Sequence, residues 1–206
     1  FILIHFVRAS DKKDYYFRHL NTENGLSQNT VLCILQDKTG YMWFGTKGGL
    51  NRYDGNSVKI FKMNEGDSTS LGNNTVLSLL EMPDGKIWAG TDRGIYVYDP
   101  STETFHFLDA KNQHGRPITG GVIDMKLDKN GNVWIAGDNL LRYSMHTGKV
   151  EIVMHMVTKY NPEKPFRPRT RSINIDKDGQ IWFAIFNDGI RKYNPIENNF
   201  NHYTKD

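Results

Sequence analysis

Tryptophan occurs four times in these 206 residues, and each time it closes the same seven-residue phrase. The phrases are Asp37-Lys-Thr-Gly-Tyr-Met-Trp43, Met82-Pro-Asp-Gly-Lys-Ile-Trp88, Asp128-Lys-Asn-Gly-Asn-Val-Trp134 and Asp176-Lys-Asp-Gly-Gln-Ile-Trp182. They align without gaps, and successive tryptophans lie 45, 46 and 48 residues apart. That period belongs to chains built from one repeated supersecondary unit, which cannot bury its apolar face alone and stacks on its neighbours.

Each unit reads as four strands. An apolar run of strand length comes first: Val31–Leu35, Val76–Leu80, Val122–Leu127, then Ile173 and Ile175. Gly40, Gly85, Gly131 or Gly179 follows, where a hairpin needs positive φ. The second strand carries the tryptophan and, two positions later, a small residue (Gly45, Gly90, Ala136, Ala184) beside which a neighbouring sheet can interdigitate. A third strand holds Leu50–Tyr53, Ile95–Tyr98, Leu141–Tyr143 or Ile190–Tyr193. After a polar corner comes a fourth, more polar one: Val58–Lys62, Phe105–Leu108, Val150–Met154 or Asn199–Tyr203.

Helical periodicity is absent. Four antiparallel strands per unit, the inner ones most apolar and the outer one most polar, describe a β-propeller blade. The expected blades are about 28–62, 73–108, 120–154 and 170–203, within a propeller region 15–206. A β-sandwich with coincidental spacing is the structural alternative.

Tyr15–Leu20, ahead of the first blade, reads as a leading outer strand, because Val58–Lys62 stands in the same relation to the second blade. Such a strand completes the last blade of a closed ring. The fourth blade already owns an outer strand, so the expectation is a fragment of a larger, seven-bladed ring; a closed four-bladed ring is the alternative. Residues 1–14 run from an apolar Phe1–Val7 into Asp11-Lys-Lys-Asp14 and read as a signal-peptide remnant and lead-in, with an extra strand as the rival reading.

Composition narrows the function classes. The 26 basic and 23 acidic residues are interspersed, which excludes a basic tract for nucleic acid. Cys33 is the one cysteine and lies in an apolar run, so it forms no intrachain disulfide and reads as a buried, inert thiol.

The repeat resembles the two-component regulator propeller repeat. The likeness is carried by Asn29-Thr-Val31, Trp43-Phe-Gly-Thr46 and Gly49-Leu-Asn-Arg-Tyr-Asp54, and by Asn74-Thr-Val76, Trp88-Ala-Gly-Thr91 and Gly94-Ile-Tyr-Val-Tyr-Asp99. Blades three and four depart from it: Gly137 and Ile185 replace the threonine, and Ser144 and Asn194 replace the aspartate, so different turns are expected there. The resemblance implies the periplasmic sensor region of a Bacteroides-type hybrid two-component receptor that responds to poly- or oligosaccharides. In such receptors two propellers precede an immunoglobulin-like domain, a membrane helix, a histidine kinase and a response regulator. It implies partners in the remaining blades and receptor domains, and leaves a homodimer open. This stretch of sequence holds no kinase motif, and the expectation is that it is not itself an enzyme.

The residues offer little chemistry. A calcium loop starting at Asp176 or Asp128 would need a carboxylate at its twelfth position, which is Asn187 or Asn139. These aspartates read instead as turn caps. The histidines are scattered, with His106 and His202 on outer strands and His146 in a turn, so no metal and no cofactor is assigned. Ligand binding is expected on the face made by the second-to-third-strand loops and the inter-blade loops. The former offer Lys47, Asp92, Arg93, Asp138, Asn139, Asn187 and Asp188. The inter-blade loop 155–171 offers Tyr160, Phe166, Arg167, Arg169 and Arg171. Aromatic stacking and guanidinium forks suit an acidic glycan, whereas a solvated surface loop is the plainer reading. A lyase-like propeller enzyme and a non-catalytic interaction scaffold remain the alternatives to a sensor.

Overall fold

A computed structural model describes residues 17–155 and 169–204. Within them sixteen strands form four separate sheets, each drawn from one repeat and ordered as the chain runs. Blade one is β1 (Val31–Gln36), β2 (Met42–Thr46), β3 (Gly49–Tyr53) and β4 (Val58–Phe61). Blade two is β5 (Val76–Glu81), β6 (Ile87–Thr91), β7 (Gly94–Asp99) and β8 (Thr104–Phe107). Blade three is β9 (Val122–Leu127), β10 (Asn132–Gly137), β11 (Asn139–Ser144) and β12 (Val150–His155). Blade four is β13 (Thr170–Ile175), β14 (Ile181–Ile185), β15 (Gly189–Asn194) and β16 (Asn199–Tyr203).

First strands lie side by side, β1 with β5, β5 with β9 and β9 with β13, so successive sheets stack face against face. Strand alternation then assigns each side chain to one seam or the other. Trp43 points forward and is buried with Val76, Ile87 and Tyr98 of blade two. Trp88 packs with Val122, Val133 and Ile135 of blade three, and Trp134 with Ile173, Phe183 and Tyr193 of blade four. Trp182 is only half-buried; its ring stacks on Tyr203 at 5.6 Å within its own blade. The hydrophobic cores are therefore the three seams between blades.

The small residue after each tryptophan lets the seams close. A Cβ on Gly45 would stand 2.9 Å from the Val76 carbonyl, and one on Gly90 2.9 Å from the Val122 carbonyl, both in the following blade. Each first strand also carries a bulge one residue in, between Val31 and Cys33, Val76 and Ser78, Val122 and Asp124, and Thr170 and Ser172. A bulge bends and twists its strand, and its recurrence at one register makes it part of the blade rather than a defect.

Three sequence expectations need correction: the strand at Phe17–Leu20 and the loop placements of Asn139 and Arg171. Phe17–Leu20 forms no strand, and Phe17 is 87% exposed; each described sheet takes all four of its strands from its own repeat, so this segment pairs with none of them. Within blade two the inner strands are the most buried, as their apolar pattern implies, and β6 most of all: every residue of β6 is buried, whereas those of β5 are buried or partly buried. A second strand has sheet on both sides and a blade against its faces. Asn139 opens β11 instead of lying in a loop, and Arg171 lies in β13. The segment read as a signal remnant falls outside the described residues.

Candidate functional site

At one end of the stack, the turn between second and third strands meets the chain entering the next blade. In blades one and two a threonine sets this turn. Thr46 Oγ1 donates to the Gly49 carbonyl and accepts from Gly48 N–H; Thr91 Oγ1 treats Gly94 and Arg93 the same way. Gly49 N–H then donates to the Asn74 carbonyl (2.8 Å) and Gly94 N–H to that of Gly120 (3.1 Å), tying each turn to the following blade. Blade three has Gly137 in place of the threonine, and its turn shrinks to Asp138 alone.

The asparagine of the repeat clamps the incoming chain: Asn29 Oδ1 accepts from Thr22 N–H (2.9 Å) and Asn74 Oδ1 from Met63 N–H (2.7 Å). Loops 62–75 and 109–121 run outward to cover the outer strand of the blade ahead. Phe105 N–H of β8 donates to the Thr69 carbonyl, and Val150 N–H of β12 to that of Lys111. Covering a sheet edge removes a template for pairing with other chains. These two inter-blade loops thus protect edges, a role that single-strand patterning could not reveal.

The residues expected to bind ligand divide into three groups. Lys47, Asp92 and Arg93 are exposed on the turns of blades one and two. Asp138 and Arg169 meet across the seam of blades three and four, Nε to Oδ1 at 3.1 Å, with both side chains about half exposed. Arg171 lies over the Phe186 ring, 5.0 Å from its centroid, placing a guanidinium and an aromatic face together on blade four. Asn187 adopts left-handed φ (57°) in that turn. Asp188 is held within the blade by Arg191 (2.7 Å), and His202 Nε2 lies 2.6 Å from its carbonyl oxygen. A histidine of an outer strand therefore does reach a second-to-third-strand turn. Tyr160 and Arg167 lie outside the described residues.

The hairpins at the opposite end show what the Asp of the tryptophan phrase does. Asp128 Oδ1 accepts from Asn130 and Asn132 N–H, and Oδ2 accepts from Trp134 Nε1 at 2.9 Å. Asp37 and Asp176 hold Trp43 and Trp182 at 2.7 Å in the same manner. Burial pushes the Asp128 and Asp37 carboxyls up, but these hydrogen bonds outweigh it and leave both below the usual value; at Asp176 the Trp182 bond is the largest cause of the same lowering. Among the described residues no cluster of His, Cys, Asp or Glu is arranged to hold a metal. The spacing Asp-x₅-Trp was visible in three of the four phrases, yet the carboxylate–indole bond was not anticipated. Cys33 is inward, its thiol pushed up to about 12 by burial.

Residues 25–48 match the model of the two component regulator propeller family. Histidine kinase P4 of Formosa agariphila is 42% identical over 73 residues, which is 34% of this chain and 5% of that protein. The chain thus spans a small part of the curated relative it matches. Among solved structures, the extracellular domain of a hybrid two component system of B. thetaiotaomicron aligns with a TM-score of 0.73 at 23% identity, over 91% of this chain and 26% of the other. That of a one component system of the same organism aligns at 0.66 and 22%, over 84% and 24%. These likenesses establish the propeller fold.

Proposed function

From a chain that carries the two component regulator propeller repeat, we propose an extracytoplasmic, periplasmic sensing module of a hybrid two-component receptor whose ligand is an oligosaccharide. The repeat match at 25–48, on a stack of four blades, carries the receptor part of this reading. Further blades on either side are part of the proposal. Leu32 and Ile34 of blade one, and Ile190 and Tyr203 of blade four, are exposed, whereas Leu77 and Leu79, which match the first two, and Leu50, Ile95 and Leu140, which match Ile190, are partly or fully buried in the inner seams.

The ligand class rests on the turn face of blades three and four. Arg171 on Phe186 offers a stacked ring and a charged donor fork, and Arg169 beside Asp138 adds a second guanidinium with a carboxylate acceptor. An acidic sugar presents carboxylate or sulfate to the first and hydroxyls to the second. Calorimetric titration of the whole ectodomain with uronate-bearing, sulfated and neutral oligosaccharides tests it. Acidic sugars are expected to bind, with Arg171→Ala weakening them about tenfold. Binding of no saccharide would remove the ligand class and leave the receptor reading to be judged by whether the parent chain signals.

A further inference from the structure

Corresponding positions differ sharply among the three seams. Opposite the small residue of the second strand stand Cys33 in blade one, Ser78 in blade two and Asp124 in blade three. Opposite the tryptophan stand Leu35, Leu80 and Lys126. The residue that the following blade brings against them is Val76, Val122 and then Thr170; its third strand adds Tyr96, Leu141 and then Arg191. At four matched places, groups that are apolar or small in the first two seams are polar or charged in the third.

The polar groups of the third seam are incompletely paired. Thr170 is fully buried, and among the described residues neither its Oγ1 nor the buried Nε of Arg191 has a hydrogen-bond partner. A buried donor left unmade forfeits its hydration without return. Asp124, by contrast, is paired: Oδ2 accepts from Ile173 N–H (2.9 Å) and the Ser172 hydroxyl (3.4 Å) across the seam, and Oδ1 from Met125 N–H (2.8 Å) and Lys126 Nζ (3.2 Å).

The outer rim differs too. Across the first seam, Arg52 reaches Tyr98 Oη and Glu103 (both 3.0 Å), and Lys59 also reaches Glu103. The matching Arg142 pairs instead with Glu151 of its own blade. The place of Glu103 is taken by Asn198, which accepts from Tyr193 of its own blade. The cross-seam pair Arg169–Asp138 is solvent-exposed and so adds little.

We infer that the seam between blades three and four is a built-in hinge, the place where this propeller opens first. Its middle is apolar, with Trp134, Phe183 and Ile173 buried, so it closes reproducibly; its inner edge and rim are polar, so water can enter without exposing much hydrocarbon. The turn-face groups Asp138 and Arg169 sit on opposite sides of it, which gives a ligand bridging them leverage on its opening.

Native-state thiol labelling of the whole protein in a Cys33→Ser background tests this. Single cysteines go to the matched buried positions as Val76→Cys, Val122→Cys and Thr170→Cys. The thiol at 170 is expected to label about tenfold or more faster than those at 76 and 122, and adding Lys126→Leu is expected to slow it toward the rate at 122. Equal rates at the three positions, or no slowing by Lys126→Leu, would overturn the hinge. If a cysteine at 76 prevents folding, the native Cys33 thiol, which faces the Val76 carbonyl, supplies the first-seam rate. The measurement needs no ligand, so its outcome is independent of the saccharide reading.

Discussion

Blade two and blade three make the same first hairpin with different chemistry. In blade three Asp128 collects two backbone N–H groups and the Trp134 indole. In blade two the corresponding residue is Met82, 2% exposed and packed in the second seam, yet Met82 N–H still meets the Lys86 carbonyl and Gly85 N–H the Met82 carbonyl. The backbone and its positive-φ glycine therefore make the turn. The carboxylate adds a tie to the tryptophan, which blade two replaces with apolar burial.

The comparison can be broken most forcefully at Asp128. Asp128→Ala strands the Trp134 indole N–H and the turn amides, and is expected to cost about 2–3 kcal/mol in urea unfolding. A loss below ~0.5 kcal/mol would show that the turn stands without its carboxylate. The reciprocal change, Met82→Asp, exchanges buried hydrocarbon for an acceptor near Trp88. It is expected to destabilise by about 1–2 kcal/mol, and a gain in stability would show the two solutions to be interchangeable.

Acid separates the blades next. Carboxyls held below 3.8 when folded stabilise fully above that value and lose the contribution as pH falls through their folded values. In proteins retaining one tryptophan each, Trp43 and Trp134 fluorescence should therefore change as pH drops below 3.8, before Trp88 responds. Simultaneous change at all three would deny the carboxylates a local role. The smallest effect is expected at the rim, where Glu103→Gln should lower the melting temperature only slightly, and less at high salt, since Glu103 is well exposed.

Much of the fold could be read along the chain. Strand bounds followed from apolar alternation, hairpins from Gly40, Gly85, Gly131 and Gly179, and the close approach of sheets from the glycine after Trp43 and Trp88. Asn194 shows where such reading overreached. Different from aspartate in kind, it still accepts from Ile196 and Glu197 N–H as Asp54 does from Asn56 and Ser57, because a carboxamide oxygen serves the turn equally well. The candidate site was legible only as a set of loops. Arg169 and Asp138 are 31 positions apart and meet solely because two sheets stack.

Sequence alone determined that this protein is a chain of blades, since a two-residue strand period, hairpin glycines and a tryptophan every 45 to 48 residues are local or periodic facts. The tertiary structure decided which seam each side chain enters and which seam is polar. It also decided that two inter-blade loops guard edges rather than float free. Those outcomes depend on pairing one blade's face with the next, and a residue carries no mark of the surface that will be packed against it.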